Sequence, residues 1–95
     1  MSKIFRALSN KNRLQLFVNL LEESRLDLAK GRVHDCFLTN IISNLRIGAP
    51  SISHHLRELE AVGLIETTKE GKQLVCTIVP EVMKEVEFFF KSKAS

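Results

Sequence analysis

Pro50-Ser51-Ile52-Ser53-His54-His55-Leu56-Arg57-Glu58-Leu59-Glu60-Ala61-Val62-Gly63-Leu64 runs from a helix-opening proline to a helix-closing glycine. Gly48, Ala49 and Pro50 lead into it, and proline is tolerated in a first turn because its missing N–H has no intrahelical partner there. Ile52, Leu56 and Leu59 recur at i, i+4, i+7 and so share one helical face, with Val62 beside them. Ala49, Ser51, Ser53, His54, Arg57 and Glu58 point elsewhere. The leading face is therefore slim and rich in hydrogen-bonding groups. A DNA major groove admits a helix on those terms, and a helix N-terminus itself favours a phosphate oxygen. We expect Ala49, Pro50, Ser51, Ser53 and His54 to lie against the duplex, the two serines and His54 reading bases. Arg57, one turn on, would reach the phosphate backbone.

Beyond Gly63 the apolar period changes to two. Leu64–Thr68 and Gln73–Val79 are rich in β-branched residues and flank Lys69-Glu70-Gly71-Lys72, which reads as a β-hairpin around a glycine-containing loop. Leu74, Cys76 and Ile78 share one face of its second strand. Lys69 and Lys72 stand at the tip, where they would lie along phosphates; Glu70 between them opposes that role without removing it. Pro80 stops the strand and starts a last helix over Pro80–Lys91, with Val82, Val86 and Phe89 on one face.

Upstream, Ile41, Ile42 and Leu45 predict a short helix over Ile41–Arg46, capped by Thr39 or Asn40 and broken at Ile47-Gly48. Lys3–Leu8 predicts one or two helical turns. Asn10 is a good N-cap, since its side chain can accept an orphan N–H of the next turn. After it, Leu14, Phe17, Val18 and Leu21 predict a buried helical face, widened by Leu16 and Leu20. Glu22–Lys30 either continues that helix to a stop at Gly31 or forms a loop. Gly31–Cys36 shows no period. The order is mainly helical with a two-stranded wing: a winged helix-turn-helix in a single domain over 1–95.

The chain has 95 residues, 44% of them hydrophobic and 26% charged, the mixture of an ordinary globular domain. A formal net charge of +3 permits an anionic partner without demanding one. The two cysteines are too few for a secreted disulfide framework. No apolar run approaches the roughly 20 residues of a membrane span, and the N-terminal residues lack the apolar stretch of a signal peptide. We therefore expect a cytoplasmic location with reduced thiols. Phe88-Phe89-Phe90 cannot bury on a single helix face, and an exposed apolar patch usually marks an interface. The expected partner is a second copy of the chain, joined through Ile4, Phe5, Leu8, Val82, Val86, Phe89 and Phe90. Glu81, Glu85 and Glu87 oppose the rival of an anionic membrane surface.

Three stretches together resemble the ArsR/SmtB winged-helix repressors of bacteria. They are Ala7-Leu8-Ser9-Asn10-Lys11-Asn12-Arg13-Leu14, Ser51 through Leu59 with Val62-Gly63-Leu64-Ile65, and Gly71-Lys72 leading to Pro80-Glu81. The resemblance implies a homodimer paired through its first and last helices, which binds operator DNA and releases it on sensing a metal or another signal. It implies that Ala49–Val62 is the recognition helix and Ile41–Arg46 its support. The family's metal sites do not carry over. Its paired cysteine positions fall on Phe37 and Thr39, Val82–Lys93 contains no His or Asp, and the segment between Leu21 and Thr39 is longer than usual.

His34 and Cys36, with Asp35 between them, are the one cluster of candidate metal ligands, but adjacent residues do not converge readily and a structural zinc wants about four ligands. We expect no metal and no cofactor. Cys36 and Cys76 could instead form a thiol switch; Cys76 among Leu74 and Ile78 reads rather as a buried, inert thiol. His55, beside the Ile52/Leu56 stripe, is expected to be packed and hydrogen-bonded, and His54 to stay exposed. There is no Gly-rich phosphate loop, paired carboxylate or nucleophilic triad, so no enzyme is expected. The leading reading is a homodimeric, sequence-specific regulator, most simply a repressor, on an inverted-repeat operator in double-stranded DNA. A repressor that senses thiol oxidation or a metal through His34, Cys36 and Cys76 is one alternative, and a winged-helix protein-interaction module is another. The inducer is unspecified by the residues.

Overall fold

The computed structural model describes residues 1–42 and 49–94. The elements are α1 (Ser2–Leu8), α2 (Lys11–Ser24), β1 (Cys36–Phe37), α3 (Leu38–Ile42), α4 (Ala49–Ala61), β2 (Ile65–Glu70), β3 (Gln73–Ile78) and α5 (Pro80–Ala94). Leu45, Arg46, Ile47 and Gly48, the expected end of the supporting helix and its break, lie outside the described residues.

Asn10 caps α2 as its side chain dictates: its Oδ1 accepts the backbone N–H of Arg13 at 3.0 Å. Arg13 in turn donates Nη1 to the carbonyl of Ala7 at 3.0 Å, satisfying an orphan acceptor at the end of α1. One residue pair thus sets the α1–α2 corner. The face that α2 buries differs from the expected one. Leu16, Phe17, Leu20 and Ser24 are buried, whereas Leu14 and Val18 remain 43% and 36% exposed. α2 carries two overlapping apolar stripes that share Phe17, and periodicity alone does not say which turns inward. Packing against α4 and the sheet selects the Leu16/Leu20 stripe and leaves Leu14 and Val18 outside.

α2 ends at Ser24, with Arg25 in the left-handed region at φ 48°. The following residues are a loop and not a helical continuation. Asp27 and Arg32 exchange backbone hydrogen bonds of 2.9 and 3.0 Å, the Asp27 carboxylate accepts the N–H of Lys30, and Gly31 turns at φ 66°. The patternless stretch then ends in a strand that periodicity did not predict. β1 pairs antiparallel with β3, so the sheet has three strands in the order β1-β3-β2 and not the expected two. A two-residue strand is too short to carry an alternation. α3 begins at Leu38, ahead of the predicted caps, so Thr39 and Asn40 lie within it.

α4 closes with a Schellman motif. Gly63, at φ 82°, donates to the Glu60 carbonyl at 3.0 Å, and Leu64 donates to the Leu59 carbonyl at 3.1 Å. The accompanying apolar contact is supplied by Leu59 and Leu64, both fully buried. This cap aims the chain directly into β2. β2 and β3 then pair from Ile65↔Ile78 to Glu70↔Gln73, leaving Gly71 and Lys72 as the turn. Lys69 therefore belongs to β2 and only Lys72 to the turn itself.

The core joins Ile4 of α1, Leu16, Phe17 and Leu20 of α2, Ile41 of α3, Ile52, Leu56 and Leu59 of α4, and Leu64, Ile65, Cys36, Cys76 and Ile78 around the sheet. Each of the fully buried leucines and isoleucines contributes about 1.5–3 kcal/mol by leaving water. α5 leans on this core through Val82, Met83 and Val86. It continues to Ala94, beyond the expected end at Lys91.

Candidate nucleic-acid interface

Burial on α4 divides as the spacing predicts. Ile52, His55, Leu56 and Leu59 are buried, while Ser51, Ser53, His54, Arg57 and Glu58 are exposed. Ala49 and Pro50 open the helix. Around the helix Ser53, Arg57, His54, Glu58 and Ser51 follow one another across the exposed arc, so the two hydroxyls stand at its opposite edges with the guanidinium and imidazole between them. That arc is exposed because the same helix is fastened by its opposite side.

The hairpin is held to that helix by a contact that sequence reasoning missed. One carboxylate oxygen of Glu60 accepts both the Thr67 backbone N–H, at 2.8 Å, and the Thr67 hydroxyl, at 2.7 Å. Charge-assisted hydrogen bonds of this length are stronger than neutral ones. They fix the angle between α4 and β2 and so the position of Lys69 and Lys72 relative to the serine face. Between helix and hairpin lies a cavity of about 170 Å³ lined by Ser53, Leu56, Arg57, Glu60, Thr67 and Leu74. Lys69, Glu70 and Lys72 are all exposed. Among the described residues the one ion pair is Glu87–Lys91 at 2.8 Å, so no such pair engages Arg57, Lys69 or Lys72.

His55 is packed and His54 is exposed, as expected. The two rings lie 5.8 Å apart. His55 is 6% exposed, but against the expectation of a hydrogen-bonded ring its buried Nδ1 has no hydrogen-bond partner among the described residues. Burial first, then the Arg13 and His54 charges, push its pKa below the ordinary 6.5. The fold therefore favours the neutral imidazole over the charged one. The unfolded chain takes up a proton near pH 6.5 that the folded chain resists, so this contribution to stability is full above that pH and declines as pH falls through it. Urea unfolding midpoints should accordingly drop between pH 7.5 and 5.5, and His55→Gln should flatten the dependence. An equally steep loss in the variant would place the effect elsewhere.

His34 is exposed and Cys36 is buried. No three His, Cys, Asp or Glu side chains come together to hold a metal ion among the described residues. No described helix is long and apolar enough to cross a membrane.

The residues expected at a subunit interface divide into two groups. Ile4 lies in the protomer's own core, and Leu8, Val82 and Val86 pack partly against it. Phe5, Phe89 and Phe90 form an aromatic cluster between α1 and α5, with ring centroids 5.6–5.7 Å apart. Phe5 and Phe90 keep 36% and 55% of their surface exposed. Leu14, Val18 and Phe88 add exposed apolar surface that was not assigned to the interface from sequence.

No family model matches the chain. It is 31% identical over 85 residues to an uncharacterized HTH-type transcriptional regulator of Methanocaldococcus jannaschii, which covers 90% of this chain and 84% of the relative. Among solved structures it resembles an ArsR family transcriptional regulator, with TM-score 0.66, 24% identity and coverage of 98% of this chain and 84% of the other. It also resembles an ArsR-like transcriptional regulator from Rhodococcus sp. RHA1, with TM-score 0.68, 22% identity and coverage of 98% and 77%. A type III plasmid segregation TubR mutant has a similar fold at TM-score 0.56 and 15% identity, covering 100% and 96%.

Proposed function

Since the chain belongs to the HTH-type transcriptional regulators and carries the winged-helix fold of ArsR-like proteins, we propose that this DNA-binding regulator, not an enzyme, is a homodimeric repressor. It acts in the cytoplasm as a single winged-helix domain over 1–95, on an inverted-repeat operator in double-stranded DNA. Ser51, Ser53 and His54 read base edges in the major groove, behind the tip formed by Ala49 and Pro50. Arg57, Lys69 and Lys72 hold the phosphate backbone. A two-fold pair of α4 helices enters successive major grooves about 34–36 Å apart.

The observation that carries this reading is the exposed serine and imidazole arc of α4 beside a wing whose Lys69 and Lys72 are exposed, the two fastened together by Glu60 and Thr67. Phosphate contacts release condensed counterions, so affinity falls with salt by a log–log slope of about 0.9 per contact. Three basic side chains in each of two protomers give a slope on the order of −5. Fluorescence anisotropy on a duplex from upstream of the protein's own coding sequence, against a scrambled duplex, measures both slope and preference. Salt-independent or undetectable binding to every duplex would turn the reading to a protein-interaction module.

A further inference from the structure

The chain has only two cysteines, far apart in sequence, yet Cys36 on β1 and Cys76 on β3 are direct register partners. Residues directly opposed in an antiparallel pair put their side chains on one face, with Cβ atoms about 4.5–5.5 Å apart. Opposed residues of an antiparallel pair have Cα atoms about 4.5–5.5 Å apart, inside the window of about 4.4–6.8 Å that a disulfide accepts, while its Cβ separation of about 3.5–4.5 Å requires the two strands to draw together locally on closure. Both thiols are free and buried. Among the described residues Cys36 Sγ donates to the carbonyls of Leu20, at 3.5 Å, and His34, at 3.8 Å, long contacts that yield easily. β1 is an edge strand of two residues held by two ladder pairs, and Phe37 beside Cys36 is 38% exposed. Short edge strands open at small cost, and opening β1 brings Cys36 to solvent.

We propose that Cys36 and Cys76 form an intrachain oxidative modification site, which a hydroperoxide-class oxidant closes to a disulfide. Cys36, on the strand that opens, loses its proton and its sulfur attacks a peroxide oxygen. The O–O bond breaks, the departing hydroxide takes up a proton as water, and Cys36 becomes a sulfenic acid. When β1 closes, Cys76 sulfur attacks that sulfenic sulfur. The S–O bond breaks, a second water leaves, and the two electrons lost by the thiols have reduced the peroxide. Burial raises both thiols to about 11, so the first step is governed by β1 opening and quickens with pH. The enclosed loop contains α3, α4 and β2, so the bond clasps the DNA-reading unit at its base. Closing a loop of this length removes entropy from the unfolded chain and stabilises the fold.

The test uses the whole chain, freed of reductant and exposed to hydrogen peroxide, then denatured and alkylated with a maleimide. The expected product is monomeric, lighter by two hydrogens and unalkylated. A tryptic digest should join the peptides 33–46 and 73–84, and the melting temperature should rise and return on reduction. Cys36→Ser and Cys76→Ser should each abolish the joined peptide and the thermal shift. Because the wild-type digest is read without either variant, poor folding of a variant does not blunt the test. Two maleimides per chain after peroxide, a disulfide-linked dimer, or sulfinic acid at either cysteine without the joined peptide would overturn the proposal.

Discussion

Replacing Ser53 and His54 together by alanine is expected to lower the preference for operator over scrambled duplex by about 10²-fold or more, while the fold and the salt slope persist. Each good base contact discriminates by roughly 1–3 kcal/mol, and about 1.4 kcal/mol is tenfold. A two-fold assembly loses each contact twice, so even contacts at the bottom of that range reach the stated loss. Both side chains are exposed, and exposed substitutions of this kind usually shift stability within about ±0.5 kcal/mol. Alanine is also the best helix former, so α4 does not fray. Arg57, Lys69 and Lys72 remain, hence binding to scrambled DNA and its dependence on salt should barely move. Competition anisotropy against both duplexes separates these quantities. Retained operator preference in the double variant would mean that another face of the molecule reads the bases.

The same substitutions distinguish reading from holding. Arg57→Ala, Lys69→Ala or Lys72→Ala removes a phosphate contact and weakens every duplex alike. The Ser53/His54 pair changes only the difference between duplexes. That separation follows from where the groups sit: the hydroxyls and imidazole in the first turns of α4, Arg57 one turn on and the lysines on the hairpin. Glu60 makes the separation mechanical, since its carboxylate accepts from both the backbone N–H and the hydroxyl of Thr67 and so ties helix to hairpin.

How much of this was legible in the residues depended on the range of the interaction concerned. α4 and the hairpin were legible because local signals agree there. A first-turn proline, an i, i+4, i+7 stripe, Gly63 as a left-handed stop and a glycine turn between β-branched runs all point one way. Asn10 was legible for the same reason, since a cap is a bond within one turn. α2 was legible as a helix but not in its rotation. Leu14 and Val18 are as apolar as Leu16 and Leu20, and only the presence of α4 decides between the stripes. β1 was not legible, because a two-residue strand is made by its partner β3 and not by its own pattern. The contacts that matter most to the site and to its chemistry, Glu60 with Thr67 and Cys36 with Cys76, join different elements and leave no trace in spacing.

The second large effect is expected at the other end of the molecule. Phe90→Glu should convert a dimer to a monomer in light scattering and weaken operator binding by about 10²–10⁴-fold, the advantage that linking two half-site contacts confers. Phe90 and Phe5 touch edge to face at 5.7 Å and together remain open to solvent across α1 and α5, which makes one contiguous apolar surface from the first and last helices. A monomer gains nothing from exposing it, whereas a two-fold partner presenting the same surface buries both copies at once. A carboxylate there would have to be desolvated against its symmetry mate, and like charges in a low-dielectric seam repel strongly. Phe88 provides the control. Two residues along a helix is about 200° of rotation, so Phe88, although 73% exposed, faces away from the Phe5/Phe90 surface. Phe88→Glu should therefore keep the dimer and its operator affinity. The ring contacts Phe90 makes with Phe5 and Phe89 are worth about 0.5–1.5 kcal/mol each, so a modest fall in melting temperature is expected for Phe90→Glu and must be measured beside the mass. A Phe90→Glu chain that stays dimeric at low micromolar concentration, or a Phe88→Glu chain that dissociates instead, would move the interface to the opposite side of α5.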